Sequence, residues 1–345
     1  MRVVILVMIA IRLLTVPVYA SEYTAPAVPE SESDLMPNTE SFGEGLVEMI
    51  QKAFIRILPD CSNTLKIGVS IVATIIIITL IQFACKGNEA ICEMAGVAAV
   101  SLQIITNTNS MIGLGFETVK NISDYGNLLL PVLASAMAAQ GGISTSAALY
   151  AGTAFFNTVL SGLLHRILRP LLYCYLGLAF ATAAVGESVL KNMRDLIKTF
   201  SVWCLKILLT VFTTYMSITG VVSGATDMAV LKAAKVTISS FVPVVGSILS
   251  DASETVLVSA QIAKNAAGMY GIFALLAVFL VPFFKIGVHY LMLKGTFAVS
   301  SIFGSGRVVD LIGDYSIAMG LLLAITGAVC IIQLISTICF LKGVA

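Results

Sequence analysis

Lys264, Lys285 and His289 are ionisable side chains set in stretches otherwise apolar enough to lie in lipid. A lysine there costs roughly 2.5–3.5 kcal/mol on insertion scales. Such residues therefore face a water-lined path or a subunit contact, unless they snorkel from a helix end, as Lys285 and Lys294 are placed to do. The chemistry this suggests is charge compensation rather than bond-making. No H-E-x-x-H, no G-x-x-x-x-G-K-[ST] and no G-x-G-x-x-G after a strand is present. Gly142-Ile143-Ser144-Thr145-Ser146 lacks the second glycine of a nucleophile elbow. With only two histidines, His165 and His289, an intramembrane Ser–His enzyme finds little support. The expectation is no enzyme: no catalytic residue, no cofactor and no metal site. Any energy must come from a gradient or a separate ATPase. The seven cysteines show no C-x-x-C spacing and lie mostly in apolar runs, so they read as small buried hydrophobes without disulfides.

The elements that must position these residues are membrane helices. Hydrophobic residues make up 58 % of the chain and charged residues 11 %, with a mean hydropathy of +0.98. Soluble domains carry about 25 % charged residues, so lipid is the solvent here. The net charge of +1 and single tryptophan leave nucleic-acid binding without support. The expected class is an all-α, polytopic membrane protein with seven or eight crossings plus short re-entrant or amphipathic helices.

An internal repeat organises the chain. Pro131 and Pro170 recur as Pro243 and Pro282, each 112 positions later, and ten identities fall among the forty intervening positions. Asp195-Leu196-Ile197 with Ser201 then returns as Asp310-Leu311-Ile312 with Ser316. Pro131 and Pro243 sit in apolar segments too short to span, which suggests re-entrant or interfacial hairpins. Pro170 and Pro282 are read as the points where helical hairpins turn. Three crossings per half would invert one half relative to the other. The second half carries more intramembrane charge and is expected to be the functional one, with the first as a more apolar scaffold.

Five regions follow. Residues 1–20 resemble an export signal, cleaved after Val18-Tyr19-Ala20 or retained as an anchor. Residues 21–44 are acidic and Pro/Ser-rich, the composition of a disordered extracytoplasmic linker. Residues 45–126 hold an amphipathic helix, Gly45 to Leu58, and two spans, Ile67–Ala84 and Met94–Leu114. That first helix lies on the membrane surface or packs on the rest of the chain. Repeat halves occupy 127–224 and 225–345. The polar stretches Glu117–Asn127, Glu187–Lys198 and Ala229–Ser240, the last with Lys232 and Lys235, are read as amphipathic connectors.

One stretch carries a resemblance. Leu231-Lys232-Ala233-Ala234-Lys235, Phe241-Val242-Pro243-Val244-Val245-Gly246, Leu249-Ser250-Asp251-Ala252 and Glu254-Thr255-Val256 look like the signature region of the stage III sporulation protein AE family of endospore-forming Firmicutes. Gln140-Gly141-Gly142 before a span also fits, whereas Gly304-Ser305-Gly306-Arg307 departs from a Leu-Gln-Pro-Leu-Gly-Asp-like stretch. The resemblance implies a multi-pass protein of the mother-cell membrane that surrounds the forespore. It implies partners from the same operon: a cytoplasmic ATPase, ring-forming proteins and small membrane subunits. A forespore channel protein would be met indirectly. The implied role is an export-gate-like or permease-like component of a channel that sustains the forespore, with no established catalytic residues to carry over. Lys232, Lys235 and Asp251 in the signature, with Lys264, Lys285 and His289, are then the candidate pathway or contact residues.

Overall fold

A computed structural model describes residues 25–39, 41–84, 89–139, 143–218, 266–303 and 306–344. Seven α-helices carry almost all of them, and no strand occurs among the described residues. They are α1 (Phe42–Ala84), α2 (Glu89–Ala139), α3 (Ile143–Leu163), α4 (Arg169–Val185), α5 (Ser188–Ile218), α6 (Ala266–Phe303) and α7 (Gly306–Val344). A five-residue π turn, Leu164–Leu168, joins α3 to α4 without a break. Six helical stretches are long and apolar enough to cross a membrane, with α3 and α4 counted together. The protein is thus an all-α chain with the makings of a multi-pass membrane protein. Pro243, Lys232, Lys235, Asp251 and Lys264 lie outside the described residues, as do the export signal and the Ala229–Ser240 connector; the expected crossings on either side of Pro170 and of Pro282 are each one continuous stretch.

The prolines do not interrupt the chain where the sequence reading placed breaks. Pro131 lies inside α2, a 51-residue helix, so residues 128–139 continue a span and form no re-entrant hairpin. The Glu117–Asn127 connector is part of the same helix. Pro282 lies inside the 38-residue α6, and the hairpin expected there is absent. Nor does the chain turn at Pro170. It sits at the start of α4, directly after the π turn. A proline removes one N–H and clashes with the preceding turn, but packed neighbouring helices tolerate this in membranes. At Pro170 the π turn absorbs the misfit, with the Arg169 N–H donating to the Leu164 carbonyl five residues back. The Glu187–Lys198 stretch likewise runs straight into α5.

Side-chain contacts fix the directions of the helices. On α7, Asp314 meets Tyr175 and Gln333 meets Asn157, so α3–α4 runs antiparallel to it. Gly313 approaches Phe297, Gly320 approaches Tyr290 and Leu341 approaches Gly268, so α6 also runs antiparallel to α7. The repeat-equivalent helices α3–α4 and α6 therefore run in the same direction, and the expected inversion is overturned. Its premise, a crossing on each side of Pro170, fails because one helix continues through that proline.

The core is built around α7, which packs on α2, α3, α4, α5 and α6. Of its membrane-length window, 94 % is buried, against 17 % for α1. Small residues allow the close approaches. A Cβ added at Gly115 would lie 2.6 Å from Leu322 Cδ1, and one added at Gly126 would overlap the Gln333 side chain. Gly115→Val is therefore expected to cost about 1–3 kcal/mol through overpacking. Thermal unfolding in detergent checks this, with Gly113→Val, where nothing lies within 4 Å, as the neutral control.

Two expectations for the N-terminal region need correction. On α1 the buried stripe is Gly45, Met49, Ala53 and Ile57. Ile50, Phe54 and Leu58, the expected apolar face, are exposed. The reading was one residue out of register because packing selected the smaller side chains. The Gly45 to Leu58 segment also runs on into the span instead of forming a separate surface helix. Residues 25–39 are acidic as expected but pack on the bundle. Val28 and Leu35 are buried, Tyr125 Oη donates to the Pro26 carbonyl at 2.9 Å, and Arg56 reaches Glu32 at 3.3 Å. Burial raises the Glu32 carboxyl above its ordinary range, with Arg56 pulling the other way.

Candidate functional site

Lys285 and His289, one turn apart on α6, line one cleft among α1, α2 and α6. It has a volume of about 350 Å³. Lys285 Nζ pairs with Asp60 Oδ2 of α1 at 2.9 Å. His289, buried at 2 % exposure, lies 3.5 Å from Thr108 Oγ1 of α2. Asn63, Thr64, Asn107 and Ser110 supply further polar lining. Sequence reading found the lysine and the histidine, but not Asp60, whose segment read as surface. The cleft offers a cation paired to a carboxylate beside an imidazole. That set can hydrate and hold a polar or charged group, and no group of metal-ligating side chains occurs among the described residues.

The Lys285–Asp60 pair is half exposed, with side-chain exposures of 36 % and 52 %. Its coupling should be about 0.2–1 kcal/mol. A double-mutant cycle with Lys285→Met and Asp60→Leu checks this, and a coupling above about 2 kcal/mol would show the pair to be shielded from solvent.

Two polar clusters escaped sequence reading. At the α4–α5–α7 junction, Asp314 (6 % exposed) accepts from Arg194 Nη1 and from Tyr175 Oη. Asp195 also pairs with Arg194, at 2.9 Å. Deeper along α7, Gln333 Nε2 donates to Asn157 Oδ1 at 3.0 Å, and Asn157 Nδ2 donates to Asn127 Oδ1 at 3.2 Å. The available signal was an acid and an amide inside an apolar helix, each of which needs a partner.

Charged residues also recur along the middle of several helices. Asp60 faces Lys285. His289 touches Thr108, and two turns further along α2, Phe116 meets His165 and Arg169. Glu117, Lys120, Arg166 and Arg169 there are exposed. Lys294, further along α6, lies over the Phe297 ring at 6.0 Å.

With this geometry in view, relatives can be compared. Residues 37–343 match the family described as stage III sporulation protein AE. The chain belongs to that family. It is 26 % identical over 254 residues to the stage III sporulation protein AE of Bacillus subtilis (strain 168). That alignment covers 72 % of this chain and 63 % of the relative, so under two thirds of the relative's length is spanned. No solved structure matches. The family match takes in the cleft and both polar clusters, and it leaves out most of the acidic N-terminal segment.

Proposed function

We propose that this chain is a membrane-embedded, non-enzymatic subunit of a channel complex in the mother-cell membrane around the forespore. Its partners would be the ATPase, the ring-forming proteins and the small membrane subunits of the stage III sporulation operon. Membership of the AE family supports the sporulation setting. The observation that carries the subunit reading is the position of α7. It fills the axis of the bundle and is buried along its apolar length. Among the described residues this packing leaves no room for a water path along that axis, which favours a conduit formed between this chain and other subunits. The open flanks of α1, α2 and α5 leave surface for such contacts.

The Asp60–Lys285–His289 cleft favours a second reading, a permease acting on a small metabolite or ion. Reconstituting the chain alone in liposomes separates the two. The subunit reading expects no flux across a broad metabolite screen and co-purification with the ring-forming proteins. Substrate-dependent flux by the single chain would replace it with the permease. In cells, a clean deletion should leave engulfment intact and stop development afterwards, and normal spores would overturn the sporulation role.

A further inference from the structure

A second cleft, of about 380 Å³, lies between α2 and the end of α3, where the chain enters its first repeat half. Lys120 and Asp124 line it from α2, and His165 and Arg166 line it from the π turn. At its inner side lie Ser123 and Asn157, 5 % and 2 % exposed. Ser123 Oγ is buried and has no hydrogen-bond partner among the described residues. In the second half, the repeat equivalents of His165 and Arg166 are Ala277 and Val278, both buried in apolar packing. The π turn is also absent there, since α6 runs through as plain α-helix. Single π turns inside α-helices occur frequently at functional sites. At the two positions that can be compared, the second half is filled by apolar packing, while His165 and Arg166 line a cleft that also holds Lys120 and Asp124.

Depth and surroundings select the occupant. Helices of 31–51 residues are about 45–75 Å long at about 1.5 Å per residue, whereas hydrocarbon is about 30 Å thick. Exposed Lys120, Arg166 and Arg169 are too costly in its middle, so the hydrocarbon boundary falls at their level. Beside the cations lie exposed apolar side chains, Ile167 at 42 % and, one turn past Arg169, Tyr173 at 39 %. They offer acyl chains a surface continuous with the polar cleft. Basic pockets between membrane helices bind anionic headgroups.

We infer that this cleft holds the headgroup of an anionic phospholipid of the phosphatidylglycerol type. Lys120 and Arg166 take the phosphodiester, while Asp124 and the Ser123 hydroxyl take the glycerol hydroxyls. The shared chemistry is a phosphate, and free phosphate is the competing source.

The full chain is purified in detergent, and lipid retention is read by native mass spectrometry after exposure to vesicles of phosphatidylglycerol or phosphatidylcholine. A preference for phosphatidylglycerol is expected. Each cation near a membrane surface is worth about fivefold in binding, so Lys120→Gln with Arg166→Gln should lower the preference about thirtyfold. The Lys120→Arg with Arg166→Lys pair should keep it. If the double exchange fails to accumulate, Lys120→Gln alone carries the test, with an expected loss of about fivefold. An unchanged preference in the Gln variants overturns the assignment. So does displacement of the lipid by millimolar inorganic phosphate, which would make the cleft a free-anion site.

Discussion

Replacing Asp314 with alanine is expected to lower the stability of the folded chain by about 3 kcal/mol. Removing one partner of a buried ion pair costs about 3–5 kcal/mol because the other charge is left uncompensated. Here Asp195 still neutralises Arg194, at 2.9 Å, which places the loss at the low end. Tyr175, 1 % exposed, also loses its acceptor. The pair joins α5 to α7 and the tyrosine joins α4 to α7, so the damage falls on three helices at once. Replacing the whole group by apolar side chains, Tyr175→Phe with Arg194→Met and Asp314→Leu, should recover most of the loss, since such exchanges are often neutral or stabilising. Unfolding in detergent, followed by circular dichroism, checks both variants. Wild-type stability in Asp314→Ala would mean that water already solvates the site.

The second large effect is expected at Asn157. Asn157→Leu removes the acceptor of the Gln333 amide, which is 1 % exposed, and the donor to Asn127. A buried donor left unsatisfied costs about 1–3 kcal/mol. Interhelical hydrogen bonds in membranes average about 0.6 kcal/mol, up to about 1.7, so about 1–2 kcal/mol is expected here. Adding Gln333→Leu should restore stability, because removing both partners is nearly neutral. The same unfolding measurement reads the cycle, and additive losses in the double variant would show that the two amides do not depend on one another.

Both clusters show how far local pattern reaches. Asp195 drew notice only through its repeat at Asp310, yet it is Asp314 that pairs with Arg194, 120 residues away in the chain. Lys285 and His289 stood out by their apolar surroundings, and the structure does bring them into one cleft. Their carboxylate, Asp60, looked ordinary because it stands just before the polar run Ser62-Asn63-Thr64. Lys120 stood in a stretch read as a polar connector, and continuous helices bring it into one cleft with Arg166.

The sequence by itself determined the helical class, the segments apolar enough to cross a membrane and the family-like stretch. Each of these is written in composition, in apolar runs of spanning length or in particular residues, and needs no knowledge of neighbours. Only the tertiary structure decided that Pro131 and Pro282 lie within helices, that a π turn carries the chain into α4 at Pro170, and that the equivalent helices run in the same direction. The physical reason is that a proline removes the same hydrogen bond in a hairpin as in a continuous helix. Whether the chain turns there depends on the packing available on either side, and here α7 offers it along the whole length.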